Sequence, residues 1–423
     1  MVVSWLAKQL NDTLDAVGNS CSAAAVDKRK MNLLHIIGSL DQRAGGPLRA
    51  VLDLSAMSQS LGLQSEVLGV GVLSVADNPL PLELIHALPT KGPAAFEYAP
   101  SARRWCRTNL VRFDGVILHG MWSYLNFAVS LECTAAGIPY ICFPHGMLDL
   151  WSVRGQGWVS RLKKTLYWYC VEKVIVQRSC AVLFTLRREL ENARRTFPLP
   201  KLHPMIVAPY GVMPRIGSMA DGSDDLDPNG PREKVALFLG RVHPKKRPDI
   251  LIEAWSKAKI EADWRLVIAG PGEPHYMTHL AKLARRCGVE AAVEFTGPVA
   301  GTQKQSLLTR ASWFLLPSEQ ENFGIAVLEA VYSGCAIAVS DQVYLGDELP
   351  EGSEILPVRL DAWSTFMRCR MRRSIWRDET ARRVRAKLME QFSEENVRRG
   401  WVDCIKLALE GNTNQSTSVS GPR

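Results

Sequence analysis

The sequence predicts an α/β protein with two open parallel sheets, one in each half of the chain. Short apolar runs bounded by turn residues recur along the sequence. Stretches with helical apolar spacing separate these runs, which is typical of β-α-β winding. A segment rich in Gly, Pro, Asp and Ser divides the series in two, and we interpret it as a linker at residues 213–234.

The composition fits a two-domain globular protein. The chain has 423 residues, 47% hydrophobic and 22% charged, and this length suits two domains of roughly 100 to 200 residues each. No apolar run approaches the roughly 20 residues of a membrane helix, and Asp12, Asp15 and Asp27 fall where a secretory signal would be apolar. Ten cysteines without a Cys-x-x-Cys pair argue against a zinc site or a disulfide framework. We therefore predict a cytoplasmic protein.

The first half contains several predicted strands. After an N-terminal extension at residues 1–30, MNLLHIIGSL is predicted to be a buried strand, and an apolar-periodic helix is predicted at about residues 47–61. SEVLGVGV, GVILHGM and IPYICFPHGML are further apolar runs between turn residues. The first domain is predicted to span residues 31–212. Functional residues are expected in loops at the C-terminal ends of its parallel strands.

The second half repeats the alternation over residues 235–385. The predicted strands are VALFLGRV, RLVIAGPG, VEFTGPV, WFLLPS and AIAVS. The predicted helices are DILIEAWSKA, YMTHLAKLARRCG, KQSLLTRA and residues 324–332. Residues 411–423 are expected to be a disordered tail. With one sheet in each half, the cleft between them is the expected place for a binding site.

The loop LGRVHPKKRPD is a candidate anion site. It places Gly240 and Arg241 at the end of a predicted strand, with Lys246 near the start of the next helix. Exposed backbone N–H groups, the positive end of the helix dipole and two cationic side chains form a suitable receptor for a diphosphate. The alternative that these residues leave open is a solvated basic loop.

Two carboxylates in PSEQENFGIAVLEAVYSG are candidates for binding hydroxyl groups. Glu321 precedes a predicted helix, and Glu329 lies in its apolar stretch. A buried charge loses hydration at a cost on the order of several kcal/mol unless hydrogen-bond donors compensate it. A sugar or ribose diol supplies two such donors, and backbone amides near Glu321 can bind anionic oxygens. The alternative is an acid at a helix start followed by one exposed helical glutamate.

The second half resembles the donor-binding domain of family 4 retaining glycosyltransferases, which have the GT-B fold. FLGRVHPKKRPD, LVIAGPGE, VEFTGPV and LLPSEQENFGIAVLEAVYSG occur in the family's order. The resemblance implies that Arg241 and Lys246 bind the diphosphate. It also implies that Glu321 contacts the transferred sugar and that Glu329 binds the ribose. The other implied donor contacts in this half are Gly240, Asn322, Phe323 and Gly324.

The first half resembles the same family in two segments. RAGGPLRAV resembles its glycine-rich loop, in which Gly45 and Gly46 would let the backbone approach the donor phosphate. FPHGMLDLWS resembles a segment of bacterial exopolysaccharide and O-antigen transferases, and its His145 matches a catalytic-cleft histidine that faces the donor sugar. From the residues alone, a structural histidine bonded to a loop carbonyl stays an alternative.

The resemblance implies a GT-B architecture of two Rossmann-like domains that face each other across a cleft. Residues 235–385 would bind the nucleotide sugar, and residues 31–212 would bind the acceptor. EQFSEENVRRGWVDCIKLALEG resembles the closing helices of such enzymes, so residues 386–410 are expected to cross back to the first domain.

No cofactor and no metal site is predicted. Asp225 and Asp227 match an Asp-x-Asp motif that holds a divalent metal in another glycosyltransferase architecture. Here they lie in the linker without a flanking apolar strand to position them. We therefore expect Arg241, Lys246 and helix-terminal amides to stabilise the departing diphosphate.

Positive charge is concentrated in two segments. The net charge is +8, of which residues 151–179 carry +5 and residues 359–399 carry +6, with −3 elsewhere. Such segments invite an anionic partner. Neither belongs to a recognised nucleic-acid module, so no nucleic-acid partner is predicted.

The first basic segment contains a candidate membrane helix surface. WVSRLKKTLYWYCVEKVIV spaces Trp158, Leu162, Leu166 and Tyr169 at near-helical intervals beside basic residues. Such a helix can rest on an anionic bilayer, with its rings in the interface. The alternative is an amphipathic helix that packs on the first domain and exposes only its basic face.

These observations predict a retaining hexosyltransferase. It would use a GDP- or UDP-sugar and a lipid-linked or oligosaccharide acceptor in cell-surface polysaccharide synthesis, in the cytoplasm and in peripheral contact with the inner face of the plasma membrane. Two other functions stay open: a sugar-nucleotide epimerase of the same fold, and a basic nucleic-acid-binding protein with salt-dependent affinity. The fold alone does not separate the three.

Overall fold

The computed structural model contains two parallel β-sheets with helices packed against them, which confirms the predicted α/β class and two-sheet architecture. The residues it describes are 31–41, 46–73, 78–91, 96–154, 157–199, 205–207, 232–349, 351–371, 386 and 388–410. The predicted N-terminal extension, most of the predicted linker and the predicted tail lie outside these residues.

Seven parallel strands form the first sheet within the described residues. They are β1 (Asn32–Ile37), β2 (Gln64–Val70), β3 (Ile85–Leu88), β4 (Gly115–His119), β5 (Tyr140–Phe143), β6 (Ala181–Phe184) and β7 (Met205–Val207). Their order across the sheet is β3-β2-β1-β4-β5-β6-β7. Because β1 lies inside the sheet, its C-terminal end is flanked by those of β2 and β4.

The helices of the first half lie between these strands. They are α1 (Gly46–Ser60), α2 (Ala102–Asn109), α3 (Tyr124–Ala136), α4 (Leu150–Arg154), α5 (Trp158–Tyr167), α6 (Lys173–Arg178) and α7 (Arg187–Thr196). A π-helical turn at Trp168–Glu172 joins α5 to α6, so the predicted basic helix is one helical segment with a local irregularity.

Six parallel strands form the second sheet within the described residues. They are β8 (Glu233–Leu239), β9 (Arg265–Ala269), β10 (Val293–Gly297), β11 (Ala311–Leu316), β12 (Ala336–Ser340) and β13 (Glu354–Leu356). Their order is β10-β9-β8-β11-β12-β13. The order reverses at β8, so the loops after β8 and β11 lie at the switch point where open α/β sheets bind ligands.

The helices of the second half alternate with its strands and continue to the C-terminal region. They are α8 (Pro248–Ala258), α9 (Pro274–Arg286), α10 (Gly301–Arg310), α11 (Ile325–Tyr332), α12 (Leu360–Cys369) and α13 (Glu394–Glu410). Most of the arginine-rich stretch that follows α12 lies outside the described residues.

Local chemistry sets several helix boundaries. Ser123 Oγ accepts a hydrogen bond from Leu125 N at 3.1 Å and caps α3, which ends at Gly137 with φ 69°. Pro248 begins α8. The first N–H groups of a helix have no partner within the helix, so the N–H that proline lacks costs no hydrogen bond at this position. These helices are therefore positioned by their end residues as well as by their apolar faces.

The C-terminal helix α13 packs against the first sheet. Trp401 Nε1 donates to Ser58 Oγ in α1 at 2.9 Å. Leu409 covers Gly115 of β4 so closely that a Cβ added to the glycine would lie 2.5 Å from Leu409 Cδ1. This helix therefore contacts the first sheet although it follows the second sheet in the chain.

Candidate active site

The loop after β8 carries two of the predicted diphosphate ligands. Gly240 directly follows the strand and has a φ of 153°, which L side chains rarely adopt. Its carbonyl oxygen approaches Gly270, where an added Cβ would lie only 1.9 Å from it. The chain then forms a 3-10 turn, Pro244–Lys246. Lys246 is mostly buried, whereas Arg241 is exposed.

Lys246 Nζ contacts the Glu321 carboxylate, and this ion pair joins the loop after β8 to the loop before α11. The Glu321 carbonyl accepts a hydrogen bond from Tyr344 N at 3.0 Å, which holds the second loop in place. Burial, followed by the charges of Lys245 and Arg241, lowers the pKa of Lys246 to about 7. Arg241, Lys246 and Glu321 therefore form one electrostatic cluster.

Glu329 lies in α11, with a side chain that is 13% exposed. Lys304 Nζ in α10 donates to Glu329 Oε1 at 2.7 Å. A cation therefore compensates the carboxylate for which the sequence predicted hydroxyl donors. Lys304 was not among the predicted site residues.

The segment between Glu321 and α11 is fixed from both sides. Gly324 precedes the helix with φ 73°. Phe323 is buried and packs edge-on against Phe392 with ring centroids 5.6 Å apart. Because its ring is packed, the predicted contact of Phe323 with the donor would be made by its backbone N–H. Asn322 Nδ2 donates to Thr185 Oγ1 of the first domain at 3.1 Å.

A chain of three histidines ends at the predicted residue His145. His35 Nδ1 lies 2.9 Å from His119 Nε2, and His119 Nδ1 lies 2.8 Å from His145 Nε2. These residues lie in β1, at the end of β4 and just after β5, which are adjacent strands. Phe143 stacks on His145 with ring centroids 4.2 Å apart.

The hydrogen-bond chain determines where each ring carries its proton. Burial lowers the pKa of His35 and His145 to about 3 and that of His119 well below its usual range, so all three are neutral near pH 7. His35 Nε2 is buried, and the described part of the chain offers it no hydrogen-bond partner. An orphaned buried N–H is rarer than an unsatisfied acceptor, so we assign the His35 proton to Nδ1. His119 then donates from Nδ1, and His145 carries its proton on Nδ1.

Loops of both domains meet beside His145. A Cβ added to Gly146 would lie 3.0 Å from Asn322 Cβ. The buried Glu189 accepts from Gly146 N at 2.6 Å and from Thr185 N at 2.7 Å, and burial raises its pKa. Glu189 therefore holds the His145 loop and, through Thr185, the Asn322 side chain.

Three further contacts join the domains. The Tyr344 hydroxyl donates to the Asp149 carboxylate, and the Arg188 guanidinium lies over the Tyr344 ring at 4.9 Å. Lys245 Nζ lies 4.2 Å from the Trp151 ring centroid. The candidate site is therefore enclosed by residues of both sheets.

A cavity of about 590 Å³ opens next to this cluster. Its lining residues are Trp151, His243, Pro244, Lys245, Arg247, Asp249, Tyr276, His279 and Glu319. None of the predicted site residues lines this cavity. Arg247 in its wall already pairs with Asp249 at 2.9 Å and Glu319 at 3.1 Å, so we keep the diphosphate prediction at Arg241 and Lys246.

The predicted site residues fall into three groups. Arg241, Lys246 and Glu321 form the electrostatic cluster, and the His145 loop reaches Asn322 beside it. The next group contributes backbone or a separate ion pair, and it consists of Gly240, Phe323, Gly324 and Glu329. Gly46 is the first residue of α1, and Gly45 lies outside the described residues, as do Asp225 and Asp227 of the rejected metal motif. Among the described residues, no group of three or more His, Cys, Asp or Glu is arranged to hold a metal ion.

Four residues of the site were missed from the sequence. His35 and His119 interrupt the apolar runs LLHII and VILHG, and this break in the pattern was an available signal. Glu189 and Lys304 lie in helices where charge is ordinary. Their contacts depend on how helices pack, so the sequence carried no local signal for them.

Solved structures share this architecture. The Anabaena protein Alr3699/HepE in complex with UDP and glucose has a TM-score of 0.69 and 14% identity, over 89% of this chain and 99% of its own. The sucrose-phosphate synthase of Thermosynechococcus elongatus has a TM-score of 0.70 and 16% identity, over 90% and 100%. The protein therefore has the GT-B fold, as the sequence resemblance implied.

Family models match both halves of the chain. The glycosyl transferase 4-like domain matches residues 45–211, and glycosyl transferases group 1 matches residues 227–349. The chain belongs to the glycosyl transferases group 1 family. The D-inositol 3-phosphate glycosyltransferase 2 of Catenulispora acidiphila is 31% identical over 157 residues, which are 32% of this chain and 37% of that protein. Matches to such curated relatives span from 26% to 57% of their length.

Proposed function

We propose that the protein is a retaining glycosyltransferase that moves a hexose from a nucleoside-diphosphate sugar to a lipid-linked or saccharide acceptor. The contact between Lys246 and Glu321, with Arg241 close by, carries this proposal. It places two cations, which can bind a diphosphate, beside one carboxylate, which can accept from a sugar hydroxyl, at the switch point of the second sheet. Family membership supports the donor class, and Alr3699/HepE was also solved with UDP-glucose.

The departing diphosphate is the main electrostatic problem of this reaction. As the bond between the anomeric carbon and the diphosphate oxygen breaks, negative charge develops on the leaving group. Arg241 and protonated Lys246 stabilise that charge. The acceptor hydroxyl oxygen then bonds to the anomeric carbon on the same face, and its proton passes to a departing phosphate oxygen, so configuration is retained.

The remaining residues orient the donor. Glu321 accepts from a sugar hydroxyl, and His145 donates to a sugar oxygen from Nδ1, where the histidine chain places its proton. Glu329 accepts from the ribose diol, which replaces Lys304 as its partner. Closure of the two domains brings the His145 loop against Asn322, which completes the site.

The enzyme acts at the cytoplasmic face of the plasma membrane in our proposal, in the synthesis of cell-surface polysaccharide. None of the helices in the described ranges is both long and apolar enough to cross a bilayer. In this proposal the enzyme reaches a lipid-linked acceptor from the membrane surface.

A donor screen with the full chain tests this function. UDP- and GDP-sugars are compared for thermal stabilisation, which reaches about 2.7 kcal/mol when a donor is present at about 100 times its Kd. Donors that stabilise the protein are then incubated without acceptor, and NMR identifies the products. We expect slow hydrolysis with a retained anomeric configuration.

Three outcomes would contradict the proposal. The first is that no nucleotide sugar stabilises the protein or is hydrolysed. The second is conversion of a donor to its epimer without release of nucleotide, which indicates an epimerase. The third is salt-dependent oligonucleotide binding that survives Glu321→Ala and Glu329→Ala, which indicates the nucleic-acid alternative.

A further inference from the structure

The helical segment at residues 158–178 exposes a row of large apolar side chains on one face. It consists of α5, the π-helical turn and α6. The exposed fractions are 77% for Trp158, 61% for Leu162, 63% for Leu166 and 55% for Tyr169. The interpretation that this apolar face packs on the first domain is therefore wrong.

The opposite face anchors the segment. Trp168 is fully buried and stacks on Phe197 with ring centroids 4.3 Å apart. The Glu172 carboxylate is also buried and accepts a hydrogen bond from Trp122 N. Since the inner face is already packed, the exposed apolar stripe is available to another partner.

Every exposed charge on this segment is positive. The segment contains five basic residues and one acid, Glu172, which is buried. Arg161, Lys163 and Arg178 are exposed, and Lys173 Nζ lies 5.9 Å from the Tyr169 ring centroid. Cations therefore flank the apolar stripe with no exposed carboxylate on the segment to neutralise them.

We propose that this surface binds an anionic lipid bilayer. The surface, here termed the docking face, is formed by Trp158, Arg161, Leu162, Lys163, Leu166 and Tyr169. Tryptophan and tyrosine prefer the membrane interface, leucines enter the acyl boundary, and basic groups reach anionic headgroups. An anionic bilayer complements both features of this surface, because its acyl boundary accepts the apolar stripe and its headgroups neutralise the positive charge.

Two other occupants fit the docking face less well. A second copy of the chain in a two-fold dimer would present the same patch, so Arg161 and Lys163 would face like charges. A nucleic acid would neutralise these cations but would leave Leu162 and Leu166 against phosphate.

The docking face lies next to the cleft. The segment that follows His145 contains Asp149, which contacts Tyr344 across the cleft, and then α4. Lys164 Nζ in α5 donates to Ser152 O in α4 at 2.6 Å, which fixes the two helices to each other. Docking would thus place the cleft beside the bilayer, and in this respect the inference rests on the proposed lipid-linked acceptor.

Vesicle sedimentation with the full chain tests this surface. Phosphatidylcholine vesicles are compared with vesicles of equal parts phosphatidylcholine and phosphatidylglycerol. We expect binding to the anionic vesicles and little to the neutral ones. Leu162→Ser/Leu166→Ser and Arg161→Glu/Lys163→Glu should each reduce the partition coefficient by about tenfold or more.

Matched controls lie elsewhere on the surface. Leu82→Ser/Val111→Ser changes side chains that are 69% and 77% exposed. Arg285→Glu/Arg286→Glu changes two basic residues in the last turn of α9. Both control variants should bind anionic vesicles as the unchanged protein does.

Several results would overturn the proposal. These are failure of the unchanged protein to bind anionic vesicles, equal binding by the docking-face variants, and equal losses in the controls. A change in oligomeric mass of Leu162→Ser/Leu166→Ser without vesicles would identify the face as a protein interface instead. The docking-face variants should be stabilised by the nucleotide-sugar donor as much as the unchanged protein when no vesicles are present. Failure of the membrane-binding proposal can therefore be distinguished from failure of the proposed glycosyltransferase function.

Discussion

The two sheets contribute to the cleft in different ways. The second sheet supplies Arg241, Lys246 and Glu321 from loops with recognisable sequence motifs. The first sheet supplies His145 at the end of a hydrogen-bonded chain through His119 and His35. The second-sheet residues are thus defined by local sequence, whereas the orientation of His145 depends on strands being adjacent in the fold. Substitutions in the second sheet should therefore remove chemistry, and those in the histidine chain should reduce its efficiency.

Lys246→Ala should have the largest effect, because in the proposed mechanism it removes one of the two cations that stabilise the departing diphosphate. We expect turnover to fall by about 10²- to 10³-fold, the usual cost of losing one preorganised stabilising group. The measurement is kcat for transfer or donor hydrolysis, with circular dichroism to verify the fold. Lys257→Ala, at an exposed lysine near the end of α8, is the matched control and should retain full turnover.

Glu329→Ala should weaken donor binding by about tenfold to 10²-fold, which corresponds to a lost hydrogen bond to a charged group. Calorimetric titration with the nucleotide sugar measures this Kd. Lys304→Met is the informative comparison, because it removes the cation that lies 2.7 Å from Glu329. If Glu329 binds the ribose, Lys304→Met should leave donor affinity unchanged or improve it. Equal losses in both variants would make the ion pair structural.

His119→Phe tests the first sheet. Phenylalanine keeps the ring that lies 5.1 Å from both neighbouring histidine centroids, but it removes both hydrogen bonds. We expect kcat to fall by about tenfold, since a mispositioned His145 weakens one donor contact. His35→Phe should reduce kcat less, because His145 keeps its direct partner. A normal kcat in His119→Phe, with the fold intact, would show that the hydrogen-bonded histidine chain does not orient His145.

The sequence predicted the second sheet better than the first for a physical reason. AIAVS, for example, is β12 to the residue, because its buried run lies between turn residues. In the first sheet β3, β6 and β7 were not predicted, and in the second sheet only β13 was missed. The edge strands β3, β7 and β13 are short and partly exposed, and β6 is a buried run of only four residues, so none of them carries much pattern. Lys246 and Glu321 were predicted because each lies in a contiguous motif, and the structure places the two side chains in contact. Lys304 and Glu189 make their contacts through helix packing that no local pattern encodes.

The pH dependence of donor binding sharpens the assignment of Lys246. Its pKa is about 7 in the structure, so the amine is charged below that pH and increasingly neutral above it. A diphosphate prefers the charged amine, so donor Kd should rise by about fivefold between pH 7 and 8. Nucleotide sugar is the correct probe, because its diphosphate is esterified at both ends and keeps a constant charge in this range, whereas the terminal phosphate of a nucleoside diphosphate titrates near pH 6. Lys246→Arg should remove the dependence, and a dependence that persists in this variant would assign it to another group.

Trp401→Phe should have the smallest effect and shows how far the histidine chain extends. Trp401 lies over His35 with ring centroids 6.1 Å apart, and its indole donates to Ser58. Loss of that hydrogen bond should lower stability by about 1 kcal/mol, as measured by chemical denaturation, with turnover unchanged. Ser58→Ala in the same background should add little, because the indole bond is already absent and the remaining Ser58 bond is a local one to Leu54 O within α1. A fall in kcat comparable to that of His119→Phe would instead show that the C-terminal helix α13 helps to position His145. The histidine chain would then extend from His145 through His119 and His35 to Trp401.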